Sequence, residues 1–300
     1  MEKITFASQL IQYLITGLTV GSIYAMVAIG FNIIYNVTEI INFAQGEFVM
    51  LGGLIMVFLH VAAGLPLLAA FPLTIILVTL AGMLLDRLAI SPIRHPSVLT
   101  LIIATIAASI IIKGVAMFIW GKDPFDLPAF SGRNPIHLMG AVIQPQYFWV
   151  GGFLIIIVIL LTFFFEKTII GKAMSACAEN PDAASLVGIN VKHMILLSFS
   201  LSAAIGAVAG ITITPISLME YDRGAMLAIK GFGAVVLGGL GSFPGAILGG
   251  LILGTIESFG AGLIHSGYKD AFALMVLLAV LFIRPSGLLG SVEVSKFKKF

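Results

Sequence analysis

The chain has 300 residues, 59% of them hydrophobic and 10% charged, with a formal net charge of +2 and a mean hydropathy of +1.12. Soluble domains carry about 25% charged residues, so this composition excludes a water-clothed globular domain, and no basic cluster points to nucleic acid. A single cysteine, Cys177, excludes an internal disulfide and a cysteine-based metal cluster.

Apolar runs of about 20 residues cross a hydrocarbon core. In chain order they are predicted at 9–30, 40–60, 66–86, 98–120, 147–165, 194–214, 244–264 and 271–284. A shorter piece, 225–240, reads as a ninth span or a re-entrant half helix. The expected class is an all-α polytopic membrane protein of about eight helices (seven to nine), some of them interrupted, in one domain over 1–300. The first run lacks a basic lead-in and a small-residue cleavage site, so it reads as a retained span.

Between the first two runs lies Thr38–Phe48, TEIINFAQGEF, with Asn42, Gln45 and Glu47 where lipid-facing helix is expected. Non-helical backbone at membrane depth is tolerated only when buried in protein or lining water. With Gly46 relaxing the backbone, the stretch is expected to be an interrupted helix whose polar trio faces a cavity. A polar helix–helix contact is the alternative. Farther along, Lys113 sits near a span end, where snorkelling suits it. Lys230 and Glu257 are expected to pair inside the bundle, as structure or as function.

The connection 86–97 holds Arg87 and Arg94, the connection 166–193 holds Lys167, Lys172 and Lys192, and the tail adds Arg284, Lys296, Lys298 and Lys299. Lysine and arginine mark the cytoplasmic side. Alternating spans is expected to put all three there, with the N-terminus inside for eight spans and outside for nine. The opposite side receives 121–146, where four prolines forbid a long helix and an ordered cap or docking loop is expected.

The pairs Gly17/Gly21, Gly206/Gly210, Gly245/Gly249 and Gly250/Gly254 have the Gly-x-x-x-Gly spacing that lets helices approach closely. Val49–Gly53 echoes Val235–Gly239, faintly enough in a chain rich in Gly and Val that chance explains it. No catalytic constellation exists: Gly-x-x-x-x-Gly-Lys-Ser/Thr, His-Glu-x-x-His and Gly-x-Ser-x-Gly are all absent, and the five histidines are scattered. The chain reads as no enzyme and carries no cofactor or metal of its own.

The strongest local signal is 171–190. Asn180 suits a helix cap, Pro181 the first helical position and Asp182 the positive end of the dipole, while Gly188 suits a left-handed end. A helix of about two turns, small-sided through Ala183 and Ala184, is expected outside the membrane.

Asp182-Ala183-Ala184-x-x-x-Gly188 resembles the Glu-Ala-Ala-x-x-x-Gly loop of ABC importer permeases, although the Ile-x-Leu-Pro part is replaced by Leu197-Ser198-Phe199-Ser200-Leu201. Leu18–Met26, Ile41–Glu47, Ala176–Glu179, Ala234–Ala246 and Pro285–Gly290 closely resemble the LivH-type permease of high-affinity branched-chain amino acid import. The likeness covers nearly the whole chain. It implies the ABC importer permease fold in the bacterial inner membrane. The partners it implies are a homologous second permease of the LivM type, two ATP-binding cassette subunits that bind ATP and Mg, and a periplasmic binding protein. Glu179, Asn180, Asp182, Ala183, Ala184 and Gly188 are the expected coupling surface for the ATPases. Asn42, Gln45, Glu47, Lys230 and Glu257 are expected along the translocation path on their chemistry alone. A urea or short-amide permease is the alternative within the fold. A stand-alone ion-coupled carrier is the alternative from another class, and the coupling loop argues against it.

Overall fold

The computed structural model describes residues 6–93, 97–132, 134–138, 140–284 and 286–290. Arg94, Lys296, Lys298 and Lys299 lie outside them. The helices are α1 (Phe6–Thr38), α2 (Gln45–Val57, prolonged by a π-helical turn Phe58–Ala62), α3 (Leu67–Leu85, prolonged likewise by Asp86–Ile90) and α4 (Val98–Trp120). After the strands β1 (Ile136–Leu138) and β2 (Ala141–Ile143) come α5 (Pro145–Lys167), α6 (Ile169–Glu179), α7 (Pro181–Leu186) and α8 (Val191–Ile213). The chain ends in α9 (Arg223–Gly238), α10 (Phe243–Leu263), a short 3₁₀ turn Ser266–Tyr268 and α11 (Lys269–Ile283). Among the described residues eight stretches are long and apolar enough to cross a membrane; α9, with 16 residues, is shorter. The chain forms two compact units: one of 1–29, 128–154 and 229–300, the other of 30–127 and 155–228.

In the first unit, glycines set the spacing. A side chain at Gly17 would run into Thr255, and one at Gly21 into Gly250 and Leu251, so α1 and α10 touch backbone to backbone and run antiparallel. Gly238 meets Gly245 and Gly249 meets Ala234, which folds α9 against α10, again antiparallel. Leu288 N donates to Leu237 O at 2.9 Å and Leu289 N to Gly238 O at 2.8 Å, fixing these two residues beside the end of α9. At the start of α1, Gln12 Oε1 accepts from Val142 N at 2.7 Å. That bond holds the antiparallel hairpin β1–β2, in register Ile136↔Ile143, against the N-terminal end. Residues on either side of it are tied in too, since Gln146 Oε1 accepts from Phe130 N at 3.2 Å and Trp149 Nε1 donates to Ser131 Oγ at 2.8 Å.

α1 and α9 both run antiparallel to α10, so α1 starts at the end of the first unit opposite Leu288 and Leu289. At about 1.5 Å per residue α9 reaches roughly 24 Å, a little short of the ~30 Å hydrocarbon core.

In the second unit α8 is the central post. Gly52 of α2 meets Ala207, Gly210 meets Val49 and Gly53, and Gly82 of α3 meets Ala203 and Phe199. Phe48, Phe199, Ile34, Val78 and Leu85 fill the core around them. α4 is exposed along nearly its whole length, the pattern of a lipid-facing helix.

Two expectations need correction. The first span ends at Thr38, not 30, because Glu39 takes a left-handed backbone (φ 57°) that stops α1; the second starts at Gln45, so Asn42 lies in a connection. Gly46 is no hinge. It sits inside α2, and a side chain there would collide with the Gly224 carbonyl, so its smallness serves close packing.

Candidate functional site

The turn that carries the polar trio is built locally. Asn42 Oδ1 accepts from Ala44 N at 3.1 Å and Asn42 O from Gln45 N at 3.1 Å, the side chain mimicking a backbone turn. Phe43 N donates to Thr105 Oγ1 of α4 at 3.2 Å. These bonds let residues 39–44 leave helix while Ile40, Asn42 and Ala44 stay buried. Asn42 Nδ2 has no hydrogen-bond partner among the described residues.

Gln45 and Glu47 face different neighbours. Ser202 of α8 shares its hydroxyl proton between Gln45 Oε1 at 2.6 Å and Gly30 O at 2.8 Å. Glu47, 1% exposed, accepts at Oε1 from Ser109 Oγ of α4 at 2.8 Å. Its Oε2 has no hydrogen-bond partner among the described residues and lies beside Gly224, where a Cβ would stand 2.6 Å from it. The Lys113 charge attracts this carboxylate and the Asp222 charge repels it. An unpaired buried acceptor costs about 1–3 kcal/mol, more when charged. Glu47 Oε2 and Asn42 Nδ2 are thus the bonding capacity left over in this cluster.

Lys230 and Glu257, the other two predicted residues, belong to the first unit and form a network there. Lys230 Nζ lies 2.9 Å from Glu257 Oε1 and 2.6 Å from Asp270 Oδ1, while Lys269 Nζ lies 3.0 Å from Glu257 Oε1. Tyr24 Oη donates to Glu257 Oε2 at 2.8 Å, and its ring faces Lys230 Nζ at 5.5 Å. Two ammonium groups and two carboxylates cancel, and the fully buried Glu257 ties together α1, α9, α10 and α11. Sequence reasoning found the Lys230–Glu257 pair and missed Tyr24, Lys269 and Asp270. The buried phenol of Tyr24, which needs a partner in an apolar span, was the available signal.

The loop 166–193 folds as its residues dictate. Thr168 caps α6 through Gly171 N at 2.9 Å. Asn180 Oδ1 accepts from Ala183 N at 2.9 Å to start α7, and Gly188 at φ 89° ends it. Leu186 and Val187 close α7 with 88% and 77% of their surface exposed, an apolar tip outside any span. Cys177 of α6 is buried, and burial pushes its thiol pKa up, away from a reactive thiolate. No group of three or more His, Cys, Asp or Glu suited to a metal ion exists among the described residues.

Known proteins resemble this chain along nearly its whole length. The permease protein BraD of the high-affinity branched-chain amino acid transport system of Pseudomonas aeruginosa is 36% identical over 299 residues, covering 95% of this chain and 97% of BraD. The corresponding LivH protein of Escherichia coli K12 is 35% identical over 306 residues, covering 95% and 97%. A solved structure of PsaBC from Streptococcus pneumoniae in complex with Fab covers 96% of this chain and 94% of its own at 15% identity and a TM-score of 0.47, too distant to bear on the fold. The family model described as "Branched-chain amino acid transport system / permease component" matches residues 13–281, and the chain belongs to that family.

Proposed function

We propose that this chain is the transmembrane permease subunit of an ABC importer that brings leucine, isoleucine and valine across the bacterial inner membrane. The observation that carries the reading is the end-to-end likeness to permeases of that transport system. The side bearing the basic segments is cytoplasmic, and the N-terminus with the hairpin β1–β2 faces the periplasm. Lacking a phosphate-binding loop, the chain draws its energy from two ATP-binding cassette subunits docked on α7, with Leu186 and Val187 as the apolar tip that enters them. A homologous second permease completes the pathway, and a periplasmic binding protein delivers substrate.

Within the chain, Glu47 is the best supported path residue, since its free oxygen has capacity to receive an ammonium group or a water. Gln45 and Asn42 hold the turn that presents it. Lys230 and Glu257 satisfy each other and Tyr24, and we assign them to holding the first unit together.

The test is purification of the tagged chain from its native host, followed by uptake of labelled leucine, valine and urea in cells with and without it. Two ATPase subunits and a second permease in the eluate, with leucine uptake lost on deletion, are expected. A chain that purifies alone and moves solute without ATP overturns the proposal.

A further inference from the structure

The lipid-facing side of the second unit carries a groove that the transport reading leaves unused. A cavity of about 430 Å³ lies between the last turns of α3 and the first half of α4. Ala81, Leu84 and Leu88 form one wall, and Ala104, Ala107 and Ile111 the other. The walls are apolar, and Leu84, Leu88 and Ile111 are mostly exposed.

The groove is apolar along its length and polar at one end. On α3, Arg87 follows Leu84 by three residues and so shares its face. Arg87 is exposed and makes no hydrogen bond or ion pair among the described residues. On α4, Ser97 and Thr100 precede Ala104 and Ala107 at the same helical spacing. Ser97 caps the helix at Thr100 N, 3.1 Å away, so the first turn of α4, with its partial positive charge, stands at the same end. A cation, two hydroxyls and a helix start thus head an apolar slot, at the end of the third crossing, on the side of the basic segments.

That order, anionic head then hydrocarbon tail, is the order of an acidic phospholipid. We infer that the groove between α3 and α4 holds one acyl chain of an anionic phospholipid from the cytoplasmic leaflet, with its phosphate at Arg87 and the first turn of α4. A second protein on this face would have to leave Arg87 facing apolar surface or bring an acid to it; the bilayer supplies both chain and phosphate.

The test is native mass spectrometry of the full-length chain, in the assembly in which it purifies, delipidated and then given phosphatidylglycerol or phosphatidylcholine with identical chains. Retention of phosphatidylglycerol is expected to exceed that of phosphatidylcholine roughly five-fold, which is about 1 kcal/mol for one arginine at an anionic surface. Arg87→Gln removes the preference. Ala107→Trp, at an exposed position, fills the slot and removes both adducts. Unfolding temperatures matching the unaltered chain show that neither variant is misfolded; should Ala107→Trp not fold, Ala107→Leu takes its place. Equal retention of the two lipids overturns the inference, as does retention unchanged by filling the slot. So does a cysteine at Ala107, in a Cys177→Ser background, that another subunit shields from maleimide whether or not lipid is present.

Discussion

Gly46 of α2 and Gly224 at the start of α9 touch backbone to backbone, and the space that the missing Gly224 side chain leaves open is where Glu47 Oε2 rests. One small residue therefore fixes both a helix contact and the position of a carboxylate. Gly224→Ala is expected to push Glu47 off Ser109 as well as to crowd α2, costing about 1–3 kcal/mol as overpacking does. Thermal unfolding in detergent checks the cost. Leucine uptake lowered beyond what the loss of folded protein explains checks the displacement.

Glu47→Gln keeps size and one hydrogen-bond acceptor but removes the charge that Lys113 attracts. Uptake is expected to slow while the assembled transporter is recovered at normal yield. Normal uptake by this variant returns Glu47 to a packing role.

Glu257 neutralises both Lys230 and Lys269. Glu257→Gln leaves two ammonium groups facing a neutral amide, and breaking a buried pair in this way costs about 3–5 kcal/mol. Asp270, about half exposed, is a solvent-screened partner, and Asp270→Asn is expected to cost under about 1 kcal/mol. The unfolding midpoints of the two variants, measured side by side, should differ plainly; equal midpoints would show the network to be unimportant for the first unit.

The apolar tip of α7 stands in water unless covered. Leu186→Asp with Val187→Asp is expected to release the ATPase subunits on purification while the permease still folds, because both side chains are exposed. Asn180→Ala, which loses the cap on Ala183 N, should weaken the same association less, by about 1 kcal/mol of helix start. Co-purification with the aspartate pair unchanged would place the ATPase contact elsewhere.

Most of the architecture was legible because a bilayer demands long apolar runs: the predicted 98–120 coincides with α4, and all four Gly-x-x-x-Gly pairs lie at close helix contacts. The misreadings concern what periodicity does not encode. Asn32, Tyr35 and Asn36 interrupt the apolar run after residue 30, so hydropathy did not mark the true end of α1, which depends on the left-handed Glu39. Gly46 looked like a break because glycine is as common in breaks as in contacts, and only its neighbour Gly224, far along the chain, separates the two. Ser109 and Ser202 were invisible for the same reason. Each is an ordinary residue in an ordinary span until the fold supplies its partner. The coupling-type helix was the opposite case, since its cap, first turn and end are adjacent in sequence.

The pairing of Lys230 with Glu257 across 27 residues also constrains how the protein is made. α9 is short and carries a lysine that, alone at the centre of a membrane helix, costs about 2.5–3.5 kcal/mol to insert. When α9 leaves the ribosome its neutralising carboxylate, 19 residues past the end of the helix, is still enclosed in the exit tunnel. The segment is therefore expected to wait at the insertion machinery until α10 and α11 follow, and to enter the bilayer with them as a group. A nascent chain truncated after Ser242 should leave α9 outside, and one extended through α11 should carry it in.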